Sequence, residues 1–458
     1  MPNIIQIINE PRIHQILEKT ARPDPGRILE ILSKASEKKG LNLEKIGYLL
    51  NVTDNRLIEK MMTAASKIKQ EIYGERLVLF APLYVSSYCV NDCEYCGFHS
   101  RNLAPRKKLC LAEVSEQVKI LEDMGHKRLL VEFGEDPLNN PIDYAVEVIK
   151  TIYQTKSGKG EIRRVNVNLA ATTVDNYRKL KDVSIGTYQL FQETYHQRTY
   201  KKMHHGPKAD YLRQLSTHDL AFQAGLDDLG LGVLFGLYDY KFDVLGLVSH
   251  AQYLDRTYGV GPHTFSVPRW RPAETVLINP EHQVSESELL KIIAILRLAV
   301  PYTGMIISTR ERPEVRAKAF EIGISQTSAA SKTAPGGYSH NELVKQFETF
   351  DQRSLDDVLK SILNQGLLPS FCTACYRMGR TGQTFMDLAK PGNIHNLCRP
   401  NAILTFKEYL EDYASDEVKQ LGQKIIHQYF NQIEDKQTQQ ETKVRLQRIE
   451  NGERDLYF

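Results

Sequence analysis

The chain has 458 residues, 41% hydrophobic and 25% charged, an ordinary mix for a globular protein of two or three domains. Its 59 lysines and arginines against 56 aspartates and glutamates leave a net charge of +3, too balanced for a nucleic-acid or membrane-surface binder. No run approaches the roughly 18 apolar residues of a membrane span, and "MPNIIQIINEPRIHQ" lacks a basic stretch followed by an apolar one, so neither a span nor a leader is expected.

Residues 1–72 carry apolar side chains at helical spacing in "DPGRILEILSKASEKKG", "NLEKIGYLLNV" and "NRLIEKMMTAASKIKQEIYG", which predicts a helical N-terminal region. From 73 to 340 the texture changes. The β-rich runs "RLVLFAPLYV", "RLLVEF", "RRVNVNLA", "GTYQLFQ", "DLGLGVLFG", "HTFSVPR", "GMIIST" and "IGISQTS" alternate with helical segments such as "LAEVSEQVKILEDMG" and "SELLKIIAILRLAV". Eight β/α units predict an α/β fold of the (β/α)8 TIM-barrel type. Residues 341–458 read as a helical C-terminal domain, whose charged end "QIEDKQTQQETKVRLQRIENGERDLYF" is expected to be a solvated face.

Six of the seven cysteines fall in two tight groups, which fits metal-binding thiols in the cytoplasm better than a disulfide framework. The first group, Cys89, Cys93 and Cys96, lies in "SSYCVNDCEYCGFHS", in the loop after the first β run and so at the active-site rim of a barrel. A cubane iron–sulfur cluster normally takes four thiolates, and three would leave one iron open to an outside ligand. A structural zinc site is the alternative, with His99 or Cys110 as the fourth ligand. "CVNDCEYC" resembles the CxxxCxxC motif of the radical S-adenosylmethionine (radical SAM) superfamily, with the aromatic Tyr95 before the last cysteine. That resemblance implies a 4Fe-4S cluster whose open iron binds SAM, and a β/α barrel. It also implies SAM contacts from Gly134 and Glu135 in "EFGEDP", where Phe133 departs from the family pattern, and from Glu193 in "FQETYH". Read without the resemblance, "GEDP" is a turn before a helix. "GLGVLFG", Gly230 to Gly236, resembles the superfamily's glycine-bearing strand near the adenine.

The second group, Cys372, Cys375 and Cys398, has two residues between the first pair and twenty-two before the last. With His395 it also reads as a Cys3His zinc site. CxxC followed by a cysteine after twenty-two residues resembles the C-terminal motif of the HydG family, the tyrosine lyases of FeFe-hydrogenase maturation. The similarity extends through "APLYVSSYCVNDCEYCG", "MGHKRLLVEFGEDP", "RRVNVNLAATTV", "GLYDYK", "VPYTGMIISTRE" and "CTACYRMGRTG". It implies a second, auxiliary 4Fe-4S cluster and a two-stage reaction. Tyrosine is cleaved at Cα–Cβ to p-cresol and dehydroglycine, and the latter is converted to carbon monoxide and cyanide on iron for the hydrogenase cluster. A reductant and maturation partner proteins are implied as well. The related lyase that stops at dehydroglycine, the 2-iminoacetate synthase of the thiamine pathway, shares the barrel and first cluster but not the C-terminal motif.

Three further residues are singled out. Arg310 follows the seventh β run, at the rim, where a guanidinium suits the carboxylate of tyrosine; a surface salt bridge in "TRERPE" is the other reading. Ser328, after the eighth run, adds a hydroxyl there or serves only a turn or cap. His263 begins the sixth run, at the opposite end of the barrel. The family resemblance gives it an extra iron beside the auxiliary cluster, whereas an isolated histidine is ordinarily a structural hydrogen-bonder. Cys110 matches neither motif and is expected to be free.

Overall fold

The computed structural model describes residues 7–273, 275–276, 278–340 and 344–458; residues 1–6 of the amino-terminal stretch quoted above lie outside these. Eight parallel strands stand side by side in chain order: β1 (Arg76–Ser86), β2 (Arg128–Phe133), β3 (Arg164–Asn168), β4 (Tyr188–Glu193), β5 (Leu229–Val233), β6 (Thr264–Ser266), β7 (Gly304–Ile307) and β8 (Gln326–Ser328). Val78, Leu79 and Phe80 of β1 pair with Gln326, Thr327 and Ser328 of β8, so the sheet closes on itself. Each of the eight β-rich runs supplies one strand, and helices such as Leu111–Asp123 and Glu286–Ala299 cover the outside.

The N-terminal helices Glu10–Lys19, Pro25–Ala35, Leu43–Leu50 and Asn55–Tyr73 are each opened by a side chain that accepts from the first turn: Asn9, Asp24, Asn42 and Asp54. The last of them packs on helix Glu286–Ala299 and turns through Gly74, at a φ of 65°, directly into β1. Its buried face, with Met61, Ala65, Ile68 and Ile72, joins one apolar core with helices 240–258 and 286–299.

One element departs from the expected all-helical C-terminal region. Strand β9 (Leu368–Ser370) pairs in parallel with Arg76, Leu77 and Val78, below the residues of β1 that meet β2. Three residues containing Pro369 leave no β periodicity to read, and proline is tolerated here because β9 is an edge strand. The remaining C-terminal elements are helices, among them Ala374–Arg377, Gly382–Ala389, His395–Asp412 and the largely exposed Lys436–Glu450. Helix His395–Asp412 is buried on nearly every side from Ala402 to Leu410. No helix among the described residues is long and apolar enough to cross a membrane.

A buried ion pair ties this helix to the barrel. Arg163, just before β3, donates to Glu408 at 2.9 Å and also reaches Glu161 at 2.9 Å and Asp455 at 3.0 Å. The Arg163 and Glu408 side chains are 4% and 2% exposed, so removing one strands the other's charge. Arg163→Met should lower stability by about 3–5 kcal/mol. Glu161→Gln, at the wetter end of the cluster, should cost less than about 1 kcal/mol. Denaturant unfolding midpoints of the two variants check the contrast.

Candidate active site

Two cavities occupy the barrel interior, one towards each end of the strands. Residues two apart on a strand face the same side, so single strands contribute to both. Along β1, Arg76 and Val78 line the lower cavity, while Phe80, Pro82 and Tyr84 line the upper one. Along β2, Arg128 lies below and Leu130 and Glu132 above; Thr264 of β6 and Gly304 of β7 lie below Ser266 and Ile306.

The upper cavity opens at the carboxyl ends of the strands, and an adjoining hollow is lined by Cys89, Cys93, Cys96, Gly134, Glu135, Glu193 and Lys208. The cysteine loop is pinned from several sides. Val90 N–H donates to Glu135 O at 2.7 Å, Glu94 N–H to Met203 O at 3.1 Å, and Gly97 N–H to Gln346 O at 2.9 Å. A Cβ on Gly134 would sit 2.2 Å from Tyr88 O, so only glycine lets this strand end pass beneath the loop. Glu135 accepts from Asn91 Nδ2 and from Arg213 Nη2, both at 2.6 Å. Asp136 makes the turn, accepting from Leu138 N and Asn139 N, so "GEDP" is both a turn and a wall of the hollow. Glu193 has a left-handed backbone, φ 67°, where the β4–β5 pairing shifts register, and its carboxylate accepts from Lys208 Nζ at 2.8 Å. Backbone strain of this kind persists only where the surroundings fix it. Tyr95 bonds to His204 at 2.8 Å.

The hollow's chemistry fits an iron–sulfur cluster. The Phe98 N–H donates to Cys96 Sγ at 3.4 Å and Asn91 Nδ2 lies 3.8 Å from Cys89 Sγ, contacts that soften the charge of cluster thiolates. Burial pushes the Cys93 thiol up strongly and Cys96 to about 11. The fourth ligand of the zinc alternative is not brought in: His99 is held by Asp92 at 2.9 Å, and Cys110 is exposed at the start of helix Leu111–Asp123. Among the described residues, no three His, Cys, Asp or Glu side chains converge as ligands of a single ion do.

Arg310 and Ser328 both line the upper cavity. The Arg310 guanidinium lies 3.3 Å from the centre of the Phe347 ring and has no ion-pair partner among the described residues, while Glu311 pairs with Arg269 and Arg271, and Arg312 with Glu286. Glu132 lines both this cavity and the adjoining hollow, and burial pushes its carboxyl up to about 8. Sequence reasoning missed Glu132, Lys208 and Gln189; the two-residue period, counted inward from each strand's end, marks Glu132 and Gln189.

The lower cavity is lined by Cys372, Cys375, Cys398 and His263, with Arg76, Arg128, Asp228, Tyr376 and Arg380. Strand β9 runs straight into Cys372, whose carbonyl accepts from Arg128 Nη2 at 2.7 Å and whose sulfur accepts from Ala374 N–H at 3.4 Å. Buried nitrogens of Arg76, Arg128 and Arg380 and both ring nitrogens of His263 have no hydrogen-bond partner among the described residues. His263 is only 6% exposed and packs on Phe385, so the structural hydrogen-bonder reading leaves its nitrogens unused. His395 instead meets Gly392 O at 2.6 Å and does not line the cavity. Three thiols, an unused imidazole and surplus guanidinium donors suit an anionic metal–sulfur group. Arg76 and Arg128 were missed, although both open their strands.

Residues 83–245 match the radical SAM superfamily and residues 266–368 the biotin and thiamin synthesis associated domain. The 2-iminoacetate synthase of Escherichia coli is 31% identical over 361 residues, covering 78% of this chain and 94% of that protein. The crystal structure of HydG, a maturase of the FeFe-hydrogenase, superposes with a TM-score of 0.97 at 55% identity, covering 99% of this chain and all of that one. HydG from Carboxydothermus hydrogenoformans gives 0.86 at 37% identity over 97% of this chain. A closed barrel with a CxxxCxxC loop at its rim and these matches define a radical SAM enzyme, with a 4Fe-4S cluster and SAM as its cofactors. Within that superfamily the chain belongs to the HydG family of FeFe-hydrogenase maturases.

Two outcomes follow from the rim. Gly134→Ala should push the Tyr88–Cys89 backbone aside and slow SAM-dependent deoxyadenosine formation on the order of a hundredfold, measured by chromatography. Glu132 holds its proton more tightly folded than unfolded, so it favours the folded state at low pH, and that contribution is lost as pH rises from 4.5, its ordinary value, through about 8. Glu132→Gln should match the unmodified protein in melting temperature near about pH 5 and exceed it by roughly 2–4 °C near about pH 9.

Proposed function

We propose that this enzyme is the tyrosine lyase of FeFe-hydrogenase maturation, cleaving tyrosine at Cα–Cβ to p-cresol and dehydroglycine in the upper cavity. Dehydroglycine then yields carbon monoxide and cyanide at the lower one. The observation that carries this reading is one barrel with three cysteines of a separate motif at each end, one trio in the hollow beside the upper cavity and the other in the wall of the lower one. A lyase that stops at dehydroglycine has no use for the second.

Cys89, Cys93 and Cys96 hold the SAM-binding cluster, with Tyr95, Gly134, Glu135 and Glu193 around SAM. Cys372, Cys375 and Cys398 hold an auxiliary cluster, and His263 an additional iron. When bound, these groups supply the radical that starts tyrosine cleavage and the iron on which both diatomic products leave. The protein's own contribution is placement. Arg310, charged and stacked on Phe347, offers two parallel N–H donors to the substrate carboxylate, and the Ser328 hydroxyl lies in the same wall. Apolar walls from Phe80, Leu130 and Ile306 keep water from the reacting carbon. A reductant and maturation proteins that accept the iron-borne product are the expected partners.

Exchanging both Cys372 and Cys375 for serine tests the division of labour. p-Cresol should persist within about threefold of the unmodified rate, because tyrosine, Arg310 and the rim lie at the far end of the barrel. Carbon monoxide should disappear and iron per chain should fall. Equal loss of p-cresol in a folded variant, or normal carbon monoxide, would overturn the two-cavity reading.

A further inference from the structure

The floor of the upper cavity has two unlike halves. Phe80, Leu130 and Ile306, from β1, β2 and β7, form a small apolar cluster. On the opposite wall Gln189 of β4 also lines the cavity, is only 1% exposed, and has a buried Oε1 without a hydrogen-bond partner among the described residues. An unmade hydrogen bond on a buried amide is costly, and native interiors rarely tolerate one without a purpose. Its place is built: Gln189 stands in register with Gly230 of β5, where a Cβ would lie 2.7 Å from Gln189 Cγ, so the glycine leaves the side chain its room.

Gln189 lies below the rim. Glu193 stands four residues further along β4, at the carboxyl end, and Phe191 fills the level between. Across the barrel, Arg310 follows β7 four residues after Ile306 of the apolar cluster. Two strand residues span roughly 6–7 Å, close to the distance from Cα to the hydroxyl of tyrosine. An amino acid held at the rim by its carboxylate therefore directs its side chain down and across, with the ring against the apolar half and its far end at the Gln189 amide.

Resting on the tyrosine-lyase reading, we propose that Gln189 receives the phenol hydroxyl of the substrate and is the residue that selects tyrosine over phenylalanine. The phenol donates to Oε1; were the amide turned over, Nε2 would donate to the phenol oxygen, since a phenol does both. Phenylalanine would fill the same volume but leave the amide orphaned in a dry site, which is the arrangement that discriminates most strongly between an aromatic residue and its deoxy analogue.

The test is equilibrium dialysis of labelled tyrosine and phenylalanine against iron-loaded enzyme with SAM, for the unmodified protein and for Gln189→Met. Iron content and melting temperature serve as controls for folding. The unmodified enzyme should bind tyrosine about tenfold or more tightly than phenylalanine. In Gln189→Met the two should come within about threefold, mainly through weaker tyrosine binding, while SAM affinity stays unchanged. An undiminished preference in a folded Gln189→Met overturns the assignment. Should that variant not fold, the unmodified enzyme still decides: equal binding of the two amino acids overturns this inference alone, and binding of neither overturns the substrate reading with it.

Discussion

The closure of β8 onto β1 is the constraint from which both cavities follow. Once eight parallel strands form a ring, every second side chain must point inward, and the interior becomes a short stack of layers. Strand β1, eleven residues long, runs the full depth of that stack, from Arg76 at the bottom to Tyr84 near the top. Its neighbours add only a few residues each, so the middle layer is thin. The Phe80, Leu130 and Ile306 cluster therefore stands between two sites of opposite character. One gathers carboxylates and a single free guanidinium; the other gathers arginines around thiols.

That difference in character is electrostatic as much as geometric. In the lower cavity Arg128 faces the Tyr376 ring, which Arg164 stacks on from beside the cavity, and Arg76 stands beside Cys398. Several buried cations so close together would repel one another strongly without a counter-charge. Asp228 and the three thiols, once deprotonated, are the counter-charges lining this cavity, and in turn the arginines make deprotonation of the buried cysteines less costly. At the rim the pairs are internally balanced, Lys208 with Glu193 and Arg213 with Glu135. Arg310, the one lysine or arginine of the upper cavity's lining, has no ion-pair partner among the described residues.

The barrel was legible because its signal is repeated eight times, and because the two cysteine motifs sit beside turns whose positions the strand count sets. His263 was legible by address: its place before β6 put it at the lower end with the second motif, and the cavity there holds it with Cys372, Cys375 and Cys398. Gln189, Glu132 and Arg76 were harder to read, because the two-residue period marks the inward face of a strand but does not tell an inward polar residue that is paired from one that opens into a cavity. The difference lies in whether a partner is present, and that is decided by residues from other strands. Strand β9 escaped for a different reason. Its pairing is dictated by the exposed edge of Arg76 to Val78, more than 290 residues earlier in the chain, and not by its own three residues.

That pairing makes the C-terminal region part of the sheet itself. Without residues 368–370, the backbone donors and acceptors of β1 below its contact with β2 would face water, as a ready template for another chain's strand. The floor of the barrel would be unstoppered at the same stroke, wetting the arginines and His263 from below. A shortened protein lacking this region would thus be a leaky, self-associating barrel. The lower, cysteine-lined cavity and the integrity of the upper one share one seam of hydrogen bonds.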